Sequence, residues 1–217
     1  MNISILGDSI STYIGFNPPG YSVHYDSNVI VFNGLKSEAD TWWGIVINSL
    51  GGCLCMNNSY SGSRVSGEKF PAANCTERIN NLKFYDQIPD IIFVYLGFND
   101  FGYGVTVNGR KNDLTCFYSA YCKMLSRIKK AYPKSIIYCF TLMQTYVRGK
   151  DYWSFPNCFG GLNLELYNGA IRKAVRGKRC RLIDLAASGE KYETLDGSHP
   201  TAVGHRKIAE TVIRLMK

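Results

Sequence analysis

Apolar and polar positions fall into blocks of two kinds along this chain. Residues 3–6 are a short apolar run and predict a first strand. A polar and aromatic stretch follows, where Pro18-Pro19-Gly20 breaks any helix. Asp40 predicts the N-cap of a helix carrying Trp42, Trp43, Val46, Ile47 and Leu50, and Gly51-Gly52 predicts its end. Residues 53–56 predict a second strand. The clearest strand is residues 91–96, an unbroken apolar run between Pro89 and Gly97. Asp113 predicts the cap of a helix reaching residue 131, because Leu114, Phe117, Tyr121, Leu125 and Ile128 recur at helical spacing. Residues 135–142 and 181–184 predict further strands, and residues 162–175 and 201–216 predict helices.

Strand and helix therefore alternate, with no internal repeat, linker or low-complexity tract. That pattern predicts a parallel sheet with helices on both faces, and continuous apolar runs suit such a sheet. Ligands of these sheets bind beyond the carboxyl ends of the strands. The 217 residues fit one domain spanning 1–217, and an apolar content of 46% excludes a disordered chain. No run approaches the ~20 apolar residues of a membrane span. No basic, apolar and small-residue leader precedes the first strand, so the expected location is cytoplasmic.

Eight cysteines at Cys53, Cys55, Cys75, Cys116, Cys122, Cys139, Cys158 and Cys180 raise disulfides or a metal as options. Several fall in predicted elements and none has zinc-finger spacing, so free, buried thiols are expected. The net charge is +8, with basic residues gathered in the last fifth, including Arg172, Lys173, Arg176, Lys178, Arg179 and Arg181. Solvated helix faces account for them, with attraction to an anionic substrate as the alternative. No nucleic-acid module accompanies the charge.

Four segments carry candidate chemistry. Gly7-Asp8-Ser9 follows the first strand, where these residue types also make ordinary turns. Asn57 to Gly62 follows the second strand; Gly62 can bring a backbone amide close to a ligand, and Gly67 competes for that part. Gly97-Phe98-Asn99-Asp100 follows the third strand and offers an amide donor, or a turn. Asp196-Gly197-Ser198-His199-Pro200 precedes the last helix. Its three-residue spacing lets Asp196 reach the near nitrogen of His199 and leaves the far one for Ser9, although a capping region also reads this way. A serine hydroxyl needs such a base, and the base needs a partner to fix its tautomer. His24 and His205, the other two histidines, have no comparable partner.

In this order, the four segments resemble the blocks of the SGNH hydrolases, also called the GDSL esterase/lipase family. The matching residues are Ser9, Gly62, Asn99 and His199, and the likeness spans nearly the whole chain. It implies a flavodoxin-like three-layer α/β/α sandwich with a central parallel sheet of about five strands. It implies ester hydrolysis through an acyl-enzyme, with Ser9 as nucleophile, His199 as base and Asp196 orienting the base. The Ser9 amide, the Gly62 amide and the Asn99 side chain would form the oxyanion hole. Asp8 and Asp100 would hold the loops by hydrogen bonds. No cofactor or metal is implied.

Aromatic residues crowd three loops: 10–36, 101–112 with Tyr103, and 143–161 with Tyr146, Tyr152, Trp153 and Phe155. They are read as loop packing or as a platform for a sugar or acyl chain. Phe98, Tyr146 and Trp153 are candidate substrate contacts. Arg64, two residues beyond Gly62, and Arg148 can each grip an anion or close a loop salt bridge. The expected function is a serine esterase on small acyl, foremost acetyl, esters of a carbohydrate or glycoconjugate. A lysophospholipase or thioesterase on longer chains, and a non-catalytic carbohydrate-binding module, are the alternatives. The partner is a small-molecule ester, and the oligomeric state is left open.

Overall fold

The first apolar run forms β1 (Asn2–Gly7), buried from Ile3 onward. In the computed structural model, which describes residues 1–110 and 112–217, β1 lies between β2 (Cys53–Ser59) and β3 (Ile91–Tyr95). β4 (Ile136–Phe140) follows, and β6 (Arg181–Ile183) ends the five-stranded sheet, whose order is β2-β1-β3-β4-β6. Every pairing in it is parallel. All five residues of β3 are buried, which explains their unbroken apolar pattern.

A right-handed crossover fixes the face on which each helix lies. The chain moves one way from β1 to β2 and the other way from β2 onward, so the connecting helices divide between the faces. α2 (Trp42–Ser49) packs against α7 (Ala202–Met216) on one side. On the other, α5 (Phe117–Ala131) packs against α3 (Thr76–Asn80) and α6 (Leu164–Lys178). The result is the expected three-layer flavodoxin-like sandwich. Between the layers, Trp42 packs against the rings of Phe93, Tyr95 and Phe140.

Two predicted caps are displaced. Thr41, not Asp40, caps α2 by accepting from the Gly44 amide. The Asp40 carboxylate accepts from the amides of Lys36 and Ser37 instead, closing the turn before. Asp113 likewise accepts from the Thr115 amide, and α5 starts only at Phe117. Two short helices, α1 (Val29–Asn33) and α4 (Phe98–Gly102), replace expected irregular chain. Part of the expected aromatic loop is β5 (Gln144–Val147), which pairs in parallel with β7 (Lys191–Thr194) as a separate ribbon.

All eight cysteines are free; Cys53 and Cys158 are exposed, while Cys55, Cys75, Cys116 and Cys139 are buried. Among the described residues, no helix is long and apolar enough to cross a membrane.

Candidate active site

The strand order reverses beside β1, and the crevice this opens is where open parallel sheets bind ligands. Segments following β1, β2 and β3 meet there. Gly7 ends β1 against β2 so closely that a Cβ would lie 2.6 Å from Ser59 Oγ. The next residue, Asp8, is buried and accepts from the Ile10 amide at 3.1 Å. This bond turns the chain through a single helical turn, Ser9–Ser11. Ser9, 6% exposed, has its hydroxyl at the crevice.

Ser9 Oγ lies 2.9 Å from His199 Nε2, and His199 Nδ1 lies 2.6 Å from Asp196 Oδ2. The second Asp196 oxygen accepts from the amides of Ser198 and His199 at 2.9 and 2.8 Å. Partial burial alone would raise the Asp196 pKa. The hydrogen bond and charge of His199, with those two amides, outweigh burial and hold it well below the usual carboxylate range. The sequence-predicted serine, histidine and carboxylate thus form one continuous line of contacts.

The loop carrying Asp196 and His199 is held by residues that the sequence does not single out for this part. Thr194 on β7 accepts from the Gly197 amide at 3.0 Å, and Thr145 on β5 donates to the Gly197 carbonyl at 2.8 Å. Tyr192 donates to the Ser198 carbonyl and Tyr25 to the Pro200 carbonyl. The Trp153 ring presses on Gly197, where a Cβ would lie 2.7 Å from the indole. Trp153 therefore supports the histidine loop and does not line the cleft. Tyr146 points away as well: it is exposed on β5, next to Glu193. Arg148 pairs with Glu193 at 3.7 Å.

Asn99 sits in the first turn of α4, where Gly97 with φ +124° provides the bend. Its Nδ2 donates to the Ser63 carbonyl at 3.0 Å. Buried Asp100 accepts from the amides of Val65 and Ser66 at 2.7 and 2.9 Å. The two side chains tie α4 to the segment after Gly62, whose φ is +78°. A cleft of about 220 Å³ opens on Ser9, Asn99 and His199, walled by Ile10, Phe98 and Phe159. Tyr103 also lines a second cavity, about 590 Å³, together with Gly62, Ser63 and Arg64.

Two residues of this region are given no part by the sequence. His24 stacks on His199 with ring centroids 3.4 Å apart and planes within 13°. It lies edge-on to Tyr25, whose ring also packs on His205, so the three histidines share one array. Burial, then the charge of His199, lowers the His24 pKa to about 4. Burial lowers His205 to about 3, and its Nδ1 accepts from the Trp42 amide. The scarcity of histidines was the one available hint of this array. The second residue is Arg78, which is fully buried. It donates to Asn58 Oδ1 and to the carbonyls of Gly7, Asn58 and Pro71, pinning the ends of β1 and β2.

The donor atoms of His24, Asp196 and His199 all lie within 4.8 Å of one another, close enough to suggest a metal. Stacking opposes it, because nitrogen lone pairs lie in the ring plane and parallel rings cannot aim them at one ion. Both nitrogens of His199 also already face Ser9 and Asp196.

The model of the GDSL-like lipase/acylhydrolase family matches residues 1–148, which contain Ser9, Gly62 and Asn99. The chain belongs to this family. Solved structures extend the likeness of this GDSL-like hydrolase to its other end. A Bacteroides ovatus protein described as a GDSL-like lipase is 26% identical with a TM-score of 0.74, over 99% of this chain and 97% of that one. A Bacteroides uniformis protein of the same description is 27% identical with a TM-score of 0.72, over 98% and 93%. A family two carbohydrate esterase from Clostridium thermocellum, solved with cellohexaose, shares the fold: TM-score 0.62 at 17% identity, over 100% of this chain and 63% of that one. A search of curated proteins finds no match. The family and fold make this GDSL-like hydrolase an enzyme acting on esters.

Proposed function

We propose that this hydrolase is a single-domain serine esterase that removes small acyl groups, acetyl foremost, from a carbohydrate or glycoconjugate. The observation that carries the reading is the unbroken contact from Ser9 Oγ through His199 to Asp196, opening onto a small cleft. In this reading His199 Nε2 takes the Ser9 proton as Oγ attacks the ester carbonyl. Asp196, held ionised, keeps the proton on Nδ1 and stabilises the imidazolium. The Ser9 and Gly62 amides and the Asn99 side chain receive the charge that develops on the carbonyl oxygen. His199 then protonates the leaving alcohol, and water releases the acyl group from Ser9.

The acyl preference follows from the walls. Ile10, Phe98 and Phe159 line a cleft of about 220 Å³, a size that suits a short acyl group better than the long chain of a lysophospholipid or fatty thioester. A binding module on this fold would have no use for that line of contacts. The carbohydrate part is supported by exposed Tyr103 beside the cleft and by the fold shared with carbohydrate esterases from Clostridium thermocellum and Corynascus thermopiles. Eight unpaired thiols support a reducing, cytoplasmic setting.

The test combines labelling with a chain-length series. The wild type is expected to react with a fluorophosphonate and to hydrolyse nitrophenyl acetate faster than the longer esters. Ser9→Ala is expected to lose both activities. Labelling that persists in the variant would assign another nucleophile, and rates that climb toward long chains would replace the acetyl reading with a lipase one.

A further inference from the structure

We propose that the cavity beside Gly62 is the subsite for the alcohol half of the ester, and that it takes an alcohol bearing a carboxylate or phosphate. The inference rests on the esterase reading above. An ester has two halves, and Ser9 faces only the smaller space. The cleft at Ser9 is walled by apolar side chains, whereas the neighbouring cavity, at about 590 Å³, is more than twice as large. Gly62, which carries a proposed oxyanion donor, lines the larger cavity, and Tyr103 lines both. An ester whose carbonyl oxygen meets both the Gly62 amide and Asn99 can therefore place one half in each of the two spaces that Tyr103 lines.

The larger cavity is charged. Arg64 and Lys69 line it against one carboxylate, Glu68. Among the described residues none of these three forms an ion pair. The Arg64 guanidinium lies over the Tyr103 ring, 5.6 Å from its centroid, which limits its motion without neutralising it.

The backbone around Arg64 is tied down on both sides. The Ser63 carbonyl accepts from Asn99, the Arg64 carbonyl accepts from the Ala73 amide at 2.9 Å, and the amides of Val65 and Ser66 donate to Asp100. A planar, permanently charged donor on a fixed backbone, beside the oxyanion position, is suited to two oxygens of one anion. A neutral alcohol would leave that capacity unused.

The experiment compares three acetate esters of substituted phenols: 4-acetoxybenzoate, its neutral methyl ester and 4-acetoxyphenyl phosphate. The readout is the ratio of kcat/KM for each anionic ester to that for the methyl ester. The wild type is expected to favour at least one anion. Arg64→Met should lower that ratio about tenfold, mainly through KM, Lys69→Met should lower it less, and Arg64→Lys should recover part of it. Added salt should erode the preference in the wild type. The two anionic arms separate a carboxylate ligand from a phosphate. A ratio that Arg64→Met leaves unchanged, or a wild type without preference, would overturn the subsite while the methyl ester is still cleaved. Failure to cleave any of the three would instead remove the esterase reading and the subsite with it.

Discussion

Replacing Asp8 with asparagine is expected to stabilise the protein at neutral and alkaline pH, by an amount that depends on pH. Asp8 is 1% exposed. Burial raises its pKa from 3.8 to about 7, against the Ile10 amide and the charges of His199 and Arg78, and with the charge of Asp100. Between those two values the folded protein keeps a proton that the unfolded chain has released. The stability linked to this group is therefore complete below pH 3.8 and is lost as the pH rises through about 7. The interval is about three pH units at roughly 1.4 kcal/mol each, so the loss is on the order of 4 kcal/mol. An asparagine side chain in its place would retain the oxygen that accepts from Ile10 and would carry no charge. Urea unfolding of both proteins at pH 4, 6 and 8 measures the effect, since other titrations cancel in the difference. The advantage of Asp8→Asn should grow by on the order of 4 kcal/mol across that range. A constant difference would refute the reasoning, because it would mean that the buried carboxyl ionises as it does in the unfolded chain.

Two further substitutions address catalysis directly. Asn99→Ala removes a proposed oxyanion donor and should lower kcat by ~10²–10³ with an unaltered circular dichroism spectrum; an unchanged kcat would take Asn99 out of the hole. His24→Ala removes the ring stacked on His199. An orienting contribution of about 0.5–1.5 kcal/mol, realised as the His199 imidazolium forms, would lower kcat by about two- to tenfold. His24→Phe keeps an aromatic face and should restore most of the rate, whereas equal losses in the two variants would show that stacking is not what His24 supplies.

Ser9 and Asn99 are legible in the sequence for one reason: each stands just beyond an apolar run whose period is visible locally. Ser9 follows β1 and Asn99 follows β3, and those strands pair directly, so their positions follow once the sheet is recognised. His199 is different. Its neighbour Asp196 is legible from spacing, but the clamp that aims both at Ser9 is not. Thr194 and Tyr192 lie on a four-residue strand interrupted by Lys191 and Glu193, and Thr145 lies on another of the same length. Such short strands carry too few alternating positions to declare themselves. Trp153 and Tyr146 expose the same limit in composition. A ring packed on Gly197 and a ring exposed on β5 are both simply aromatic to the sequence. The caps expected at Asp40 and Asp113 are displaced because an Asp carboxylate binds a nearby turn amide as readily as a helix N-terminus, and only the packing of α2 and α5 decides between them. Ser9 and Asn99 are thus fixed by strand ends, while the groups that aim His199 are fixed by pairings between distant segments. The stack of His24 on His199 belongs to the second kind, and so does the larger cavity, which exists only where the segment after Gly62 meets α4 through Asn99 and Asp100. Specificity in this enzyme should accordingly respond to changes in those pairings that leave Ser9, Asp196 and His199 untouched.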